Sequence, residues 1–529
     1  VTPELRALGQ EHSRLRDRAD VVVRKGRFTL LNDTLSPRDA TIADLVAVHD
    51  ALDAHGIEHL LVRRDDDIPV IAVDRAAYRA IASALEADLA AEPFYVRAGS
   101  RPEVLLAEGL PARGRVLKLY RPRASRTGKL RYGASGAVRM ELWDFAPDVI
   151  TAPAENALMR RLLPRAEAVD AAVELHGRTW RTLGGMFDVL ASDVTFDIDI
   201  VFSWVDGTSS EFQRARAQRM SAYVVGEGDD SEARYRQIDE LKYALRSVYL
   251  YAPWVRRIFI VTDSPAPAWL AEHPAVTIVR SEEFFTDPSA LPTHNSHAVE
   301  SQLHHIEGLS EHFLYSNDDM FFGRPVRPEM FFSPGGVTKF IEATTRIGLG
   351  EPDSARSGFE NAARVNRALL RERFGRVTTR HLEHAATPLR RSVLAELEAE
   401  FPEDFERTAH SAFRSATDIS VTNSLYHYYA LMTGRAVVQS QASVRYIETT
   451  LATAPAEMDD LLKRRDYDFF CLNDGSKPEI SVARRTKTVR AFLERYFSVP
   501  APWERAAPET LTPAQGSASS SAARALPAS

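Results

Sequence analysis

Apolar residues along this chain recur with two periods, one near 3.6 and one of two, and their succession predicts an α/β protein. Residues 40–57 (ATIADLVAVHDALDAHGI) read as an amphipathic helix, 59–64 (HLLVRR) and 68–74 (IPVIAVD) as strands, and 76–91 as a second helix. Strand-like VLKLYRP (116–122) and VRMELWDF (138–145) follow. Together they predict a small α/β domain over residues 41–190. It has no phosphate-cradling loop, since neither G-x-x-x-x-G-K-[ST] nor a G-x-G-x-x-G after a strand occurs. Residues 1–40 read as a basic helical segment, with Arg14, Arg16, Arg18, Arg24, Lys25 and Arg27 interleaved with Glu11, Asp17 and Asp20. Such a face is either solvated or a contact to a membrane surface.

The texture changes at Phe196. In FDIDIVFSWVDG, Phe196, Ile198, Ile200, Phe202 and Trp204 alternate onto one face of a strand that ends in the turn pair Asp206-Gly207. A charged, Gly-containing loop (226–231) precedes a helix from Asp239 to Ala252, with Leu241, Leu245, Val248 and Ala252 on one face and Lys242 and Arg246 on another. Strands RRIFIVTD and VTIVRS, a loop with Thr293, His294 and Asn295, a helix from His297 and the strand FLYSNDD come next. Strands separated by helices predict a doubly wound, mostly parallel sheet, with helical additions and the smaller N-terminal α/β domain separate from it. Asp206, Asp263 and Asn317-Asp318-Asp319 then emerge at one sheet edge. Further helices are expected at 361–374, at 389–401 with Pro388 in the first turn, at 405–414, 421–433 and 486–497. The catalytic unit is expected to span 196–500, and the Ala/Ser/Pro-rich tail, 506–529, to be disordered.

Composition narrows the chemistry. A chain of 529 residues, 44% hydrophobic, forms more than one domain. A net charge of −7 gives no bulk attraction for nucleic acid, and one cysteine excludes an intrachain disulfide. No apolar run is long enough to span a membrane and the first residues lack a signal-peptide pattern, so the expected location is cytoplasmic, with peripheral contact at the inner membrane face. Within FLYSNDDMFF, adjacent acids bracketed by large hydrophobes repel unless a cation pairs with them. Asn317, Asp318 and Asp319 offer only oxygen, which suits Mg²⁺ or Mn²⁺ and a phosphate-bearing substrate; the alternative is a polar turn. His297, Glu300 and His304 share a helix face, readable as metal ligands or as a solvated polar face.

Four blocks then carry a family likeness: IDIVFSWVDG (198–207), ELKYALRS through FLYSNDDMFFG (240–323), FPEDFERTAHSAFRSATD (401–418) and FFCLNDG (469–475). They resemble, in order, the four regions of the Stealth family of bacterial capsule and exopolysaccharide phosphotransferases, which is similar to the catalytic part of N-acetylglucosamine-1-phosphotransferase. The resemblance implies a glycosyltransferase-A-like sheet. It also implies transfer of a hexose 1-phosphate from a UDP-sugar to a hydroxyl of a saccharide or polysaccharide acceptor, with UMP leaving and a divalent cation required. By motif position the implied active-site residues are Glu300, Asp319 or its neighbour Asp318, His384 (with His381 three residues away as a competitor), Arg414 and Asn473-Asp474. Asp206, Arg246, Asn295 and Asn317 are expected to contact substrate, and Asp318, Asp319, Asn473 and Asp474 to hold Mg²⁺ or Mn²⁺. The alternatives are a metal-dependent glycosyltransferase releasing UDP and a non-catalytic carbohydrate-binding protein.

Overall fold

The computed structural model describes residues 13–64, 68–111, 114–126, 130–207, 238–475 and 477–505. The expected tail, the 226–231 loop and the first twelve positions of the basic segment lie outside them.

The period-two pattern from Phe196 onward folds into a five-stranded sheet ordered Val276–Val279, Ile258–Val261, Ile198–Ser203, His312–Asn317, Thr387–Arg390. The first four strands run parallel and the last antiparallel. Alternate side chains enter two cores. Ile198, Ile200 and Phe202 pack with the helix Glu240–Tyr251, whereas Val201, Phe313 and Tyr315 pack with residues of the helices Ser296–Gln302, Arg391–Glu400 and Tyr426–Met432. Burial of side chains this size stabilises by about 1.5–3 kcal/mol each, which fixes the register, because a one-residue slip exchanges the two faces. The buried acid Asp199 is neutralised by Arg256, whose guanidinium reaches both carboxylate oxygens at 2.9 and 2.6 Å.

Strand order places the ligand crevice. The chain steps outward from Ile198–Ser203 to Ile258–Val261 and Val276–Val279, then returns to the other side of the first strand as His312–Asn317. The gap beyond Ser203 and Asn317, which face each other in register, is therefore the topological switch point. From Asn317 the chain needs only Asp318 and Asp319 to enter a second, three-stranded sheet. There Met320–Phe322 pairs antiparallel with Phe469–Asn473, which runs parallel to Val444–Glu448. Phe321 stacks on its register partner Phe470 at 5.0 Å, bracing this second sheet beside the seam.

Several expectations are corrected. Residues 21–31, expected within the basic helix, form a β-hairpin, Val21–Arg24 with Arg27–Leu31; among the described residues before it, Ser13–Arg16 is helical. Lys25 and Gly26 both take positive φ (49° and 74°), the turn that a two-residue hairpin needs, and Val21-Val22-Val23 prefers a strand. Pro388 does not open a helix. It lies in the edge strand Thr387–Arg390, the sheet position that tolerates a missing N–H, and the helix starts at Arg391. The helix expected at 405–414 is Pro402–Ala409, and Arg414 falls in the irregular segment after it.

The N-terminal region builds an eight-stranded mixed sheet in which Val70–Asp74 pairs parallel with Val138–Phe145. The helices Pro37–Ala54 and Tyr78–Leu89 add Leu45, Val48, Ile81 and Leu85 to its core. Its Leu130 buries in the same core as Ile198 and Ile200, so it packs directly on the larger unit. No helix among the described residues is long and apolar enough to cross a membrane.

Candidate active site

The two-residue link between the sheets concentrates carboxylates. Burial and the neighbouring charges of Asp319, Glu240 and Asp474 push the Asp318 carboxyl well above its usual range. Asp319 accepts from Asn473 Nδ2 at 3.5 Å and from Cys471 Sγ at 3.6 Å, because Met320 and Cys471 are register partners and bring the ends of their strands together. Asp474 is held by Thr449 Oγ1 and lies 3.5 Å from Arg485 Nη1. Three neighbouring acids thus raise the cost of ionising Asp318, which a divalent cation relieves. The donors are all oxygen, the chemistry of Mg²⁺ or Mn²⁺, which binds through one or two carboxylates with the rest from water and substrate phosphate. Asp318, Asp319, Asn473 and Asp474 fit that role by donor type. Glu240, 8% exposed at the start of its helix, joins them unannounced by any motif.

The other wall is built on the helix Ser296–Gln302. Expected to have a solvated face or a metal-binding one, it is buried on that face: His297, Glu300 and His304 are 2, 2 and 4% exposed. Each has its own neighbour. Glu300 accepts from Tyr315 Oη (3.2 Å) and Thr422 Oγ1 (2.7 Å), His297 lies 3.9 Å from Asp418, and His304 reaches Glu398 at 2.8 Å. Glu300 therefore ties the central strand, three residues before Asp318, to the Val421–Leu425 turn.

Arg414 donates to Ser296 Oγ at 2.7 Å and packs its stem on Gly358. The loop carrying it is fixed by Asn295, whose amide donates to Ser411 O, Phe413 O and Asp418 Oδ2 while its Oδ1 caps the helix through His297 N. Asn295, expected to contact substrate, is 1% exposed with its amide engaged by protein atoms, the arrangement of a scaffold for the Arg414 loop. Next to Gly358, Phe359 stacks on His381 (4.7 Å) and lies 6.3 Å from His384. His384 in turn lies 5.2 Å from Tyr446, the register partner of Cys471. Between the two imidazoles, His384 is the one ringed toward the second sheet and its acids. Burial and His381 hold it below its ordinary pKa, so the imidazole is neutral near pH 7.

Arg246 departs most from expectation. Its guanidinium grips Glu504 through two bonds (2.5 and 2.6 Å) and donates to Phe497 O, clamping the C-terminal segment onto the helix Glu240–Tyr251. It is not available to donor phosphates. Asp206 stays at the crevice, its N–H bonded to Ser264 Oγ, and Asn317 ends the central strand opposite Ser203.

The arrangement matches the Stealth conserved regions in order: region 1 at residues 196–224, region 2 at 234–340, region 3 at 383–431 and region 4 at 459–514. The chain is 57% identical over 512 residues to the exopolysaccharide phosphotransferase CpsY of Mycobacterium tuberculosis, with 94% of this chain and 96% of the relative covered. It belongs to the Stealth family. The exopolysaccharide phosphotransferase of Nocardia farcinica is 57% identical over 471 residues (89% of this chain, 88% of the relative). SCO6023 of Streptomyces coelicolor, also named an exopolysaccharide phosphotransferase, is 40% identical over 502 (90% and 85%). Among solved structures, the galactosyltransferase LgtC with donor and acceptor sugar analogues covers 59% of this Stealth chain and 98% of its own, at 12% identity and a TM-score of 0.29, too distant to bear on the chemistry.

Proposed function

We propose that this Stealth protein is an exopolysaccharide phosphotransferase that moves a hexose 1-phosphate from a UDP-sugar to a sugar hydroxyl and releases UMP. The observation that carries the reading is the oxygen-only acidic cluster of Asp318, Asp319, Glu240 and Asp474 at the switch point. Arg414, held on Ser296 of the helix that carries Glu300, and His384, beside Tyr446 of the second sheet, supply the cation and the imidazole in this reading. In this reading the acceptor oxygen bonds to the β-phosphorus while the bond from that phosphorus to UMP breaks. Negative charge spreads over the non-bridging oxygens, so positioned cations matter more than covalent chemistry. Arg414 supplies a planar two-pronged donor to those oxygens. The neutral His384 imidazole takes the proton of the acceptor hydroxyl. Glu300, bonded on both oxygens, is a positioning residue that holds the central strand against the Val421–Leu425 turn. Mg²⁺ or Mn²⁺ held by Asp318, Asp319, Asn473 and Asp474 supplies charge neutralisation to the diphosphate.

The product nucleotide decides the reaction. Incubation with UDP-sugars and a saccharide acceptor should release UMP and give a phosphodiester signal in ³¹P NMR. Release of UDP with no new phosphodiester would replace this reading with glycosyl transfer to the anomeric carbon, and absence of any turnover across a donor panel would leave a carbohydrate-binding protein.

A further inference from the structure

Among the described residues, one group of three His, Cys, Asp or Glu side chains brings its ligand atoms together: His304, His305 and Glu398, all within 4.8 Å of one another. His304 Nε2 lies 2.8 Å and His305 Nε2 3.2 Å from the same oxygen, Glu398 Oε2, and the two rings are 4.0 Å apart at 40°. The histidines form the turn Leu303–His305 directly after the helix that carries Glu300, and Glu398 comes from the helix Arg391–Glu400. We propose that His304, His305 and Glu398 form a transition-metal site for Zn²⁺ or a cation of like preference, separate from the catalytic cluster, that pins the Glu300 helix to the neighbouring helix.

Donor chemistry and spacing support it. Two imidazole nitrogens and one carboxylate oxygen suit Zn²⁺ or Co²⁺ and are a poor set for Mg²⁺, whereas the oxygen-only seam has the opposite preference. Tetrahedral zinc with bonds of ~2.0–2.1 Å sets its ligand atoms roughly 3.3 Å apart, so the 2.8 and 3.2 Å separations need adjust by about half an ångström or less, while the two imidazole nitrogens, within 4.8 Å of each other, must close by up to about 1.5 Å. A plain ion pair needs only one imidazole on that oxygen; here two compete for it. His304 is buried, its side chain 2% exposed, while the side chains of His305 and Glu398 keep 29 and 28%. The nearby Arg391 guanidinium is turned away onto backbone carbonyls, donating to His304 O and Leu309 O.

The test uses the untagged full chain, stripped with chelator, dialysed against Zn²⁺ in millimolar Mg²⁺ and measured for metal by mass spectrometry, with Co²⁺ as a visible-absorption probe of the same site. Expected are about one retained Zn²⁺ per chain, tetrahedral Co²⁺ bands, and a Zn²⁺-dependent rise in Tm of ~2–5 °C. His305→Asn and Glu398→Gln should each weaken retention at least tenfold while their zinc-free Tm stays near that of the parent, since both side chains are partly exposed. Asp319→Asn, which alters the acidic seam, should retain Zn²⁺ normally. Absence of retained Zn²⁺ in the parent, retention undiminished in both His305→Asn and Glu398→Gln, or loss only in Asp319→Asn would each overturn the proposal.

Discussion

Gly358 offers a way to move Arg414 without touching its charge. The glycine opens the helix Gly358–Phe374 behind the N-cap Ser357, and a Cβ built on it would lie 2.8 Å from Arg414 Cβ, 2.9 Å from Cδ and 3.3 Å from Cγ. Carbon atoms rest about 3.5–4.0 Å apart, so the arginine stem must recede by roughly 0.7–1.2 Å. Cβ moves only with its backbone, and that backbone is held through Ser411 O and Phe413 O by Asn295. Gly358→Ala should thus cost about 1–3 kcal/mol in overpacking, offset by ~0.4–1 kcal/mol from the stiffer unfolded chain. A net loss of that size leaves a chain of this length folded. Displacing a charge-stabilising group by about an ångström costs on the order of 10²-fold in turnover. UMP release should fall by that factor while the apparent Tm drops only a few degrees. Gly375→Ala, at the other end of the same helix, is the matched control. Its φ of +67° makes alanine cost ~1–2 kcal/mol, but nothing lies within 4 Å of the new Cβ, so turnover should hold. Equal loss of turnover in both variants, or none in Gly358→Ala, would refute the assignment of Arg414 to the transferring phosphoryl group.

Three further outcomes are expected. Arg246→Met should cost about 2–4 kcal/mol, read as Tm or urea midpoint, by leaving Glu504, 5% exposed, with Lys242 at 3.5 Å and the Ala501 N–H in place of a two-pronged guanidinium; turnover per folded molecule should persist, and loss of turnover at unchanged Tm would restore Arg246 to the donor site. Exhaustive chelation should abolish UMP release and Mg²⁺ or Mn²⁺ restore it, and undiminished turnover after chelation would remove the metal from the reading. Complete burial lowers the His427 pKa to about 4, below the unfolded value, so the unfolded state binds its proton first and stability drains as pH falls from about 6.5 toward 4, by about 3 kcal/mol at the lower end. Urea denaturation at several pH values should show that slope in the parent and a shallower one in His427→Gln; parallel slopes would assign the acid sensitivity to other groups.

What the sequence disclosed follows from the range of the forces involved. The central strand and its acids were legible because alternation and an abrupt polar stop are local signals, and the strand-helix succession implied the sheet. The hairpin at 21–31 also carried a local signal, Lys-Gly after three valines, which the surrounding basic charge obscured. Other features depend on partners far along the chain. Arg246 reads as a surface cation until Glu504, 258 residues away, takes its guanidinium. Asn295 reads as a polar loop residue until it meets Ser411, Phe413 and Asp418, more than 110 residues on. Helical spacing put His297, Glu300 and His304 on one face, but spacing alone cannot say whether water or a second layer covers it.

The position of the acids has a cause in topology. His312–Asn317 is committed to the first sheet by its parallel pairing with Ile198–Ser203, and Met320–Phe322 to the second by its antiparallel pairing with Phe469–Asn473. Only Asp318 and Asp319 remain between them, so both sit where two cores end and neither sheet can absorb them. The same pairing delivers Asn473 and Asp474 to that point, because the strand that ends in Asn473 starts opposite Phe322. Charge repulsion at the seam is thus held in place by the burial of Phe321, Phe322, Phe469 and Phe470 on either side, each 1% exposed or less. Apolar packing of that extent, at about 1.5–3 kcal/mol per side chain, outweighs the repulsion of a few partly solvated carboxylates and holds them together at the seam.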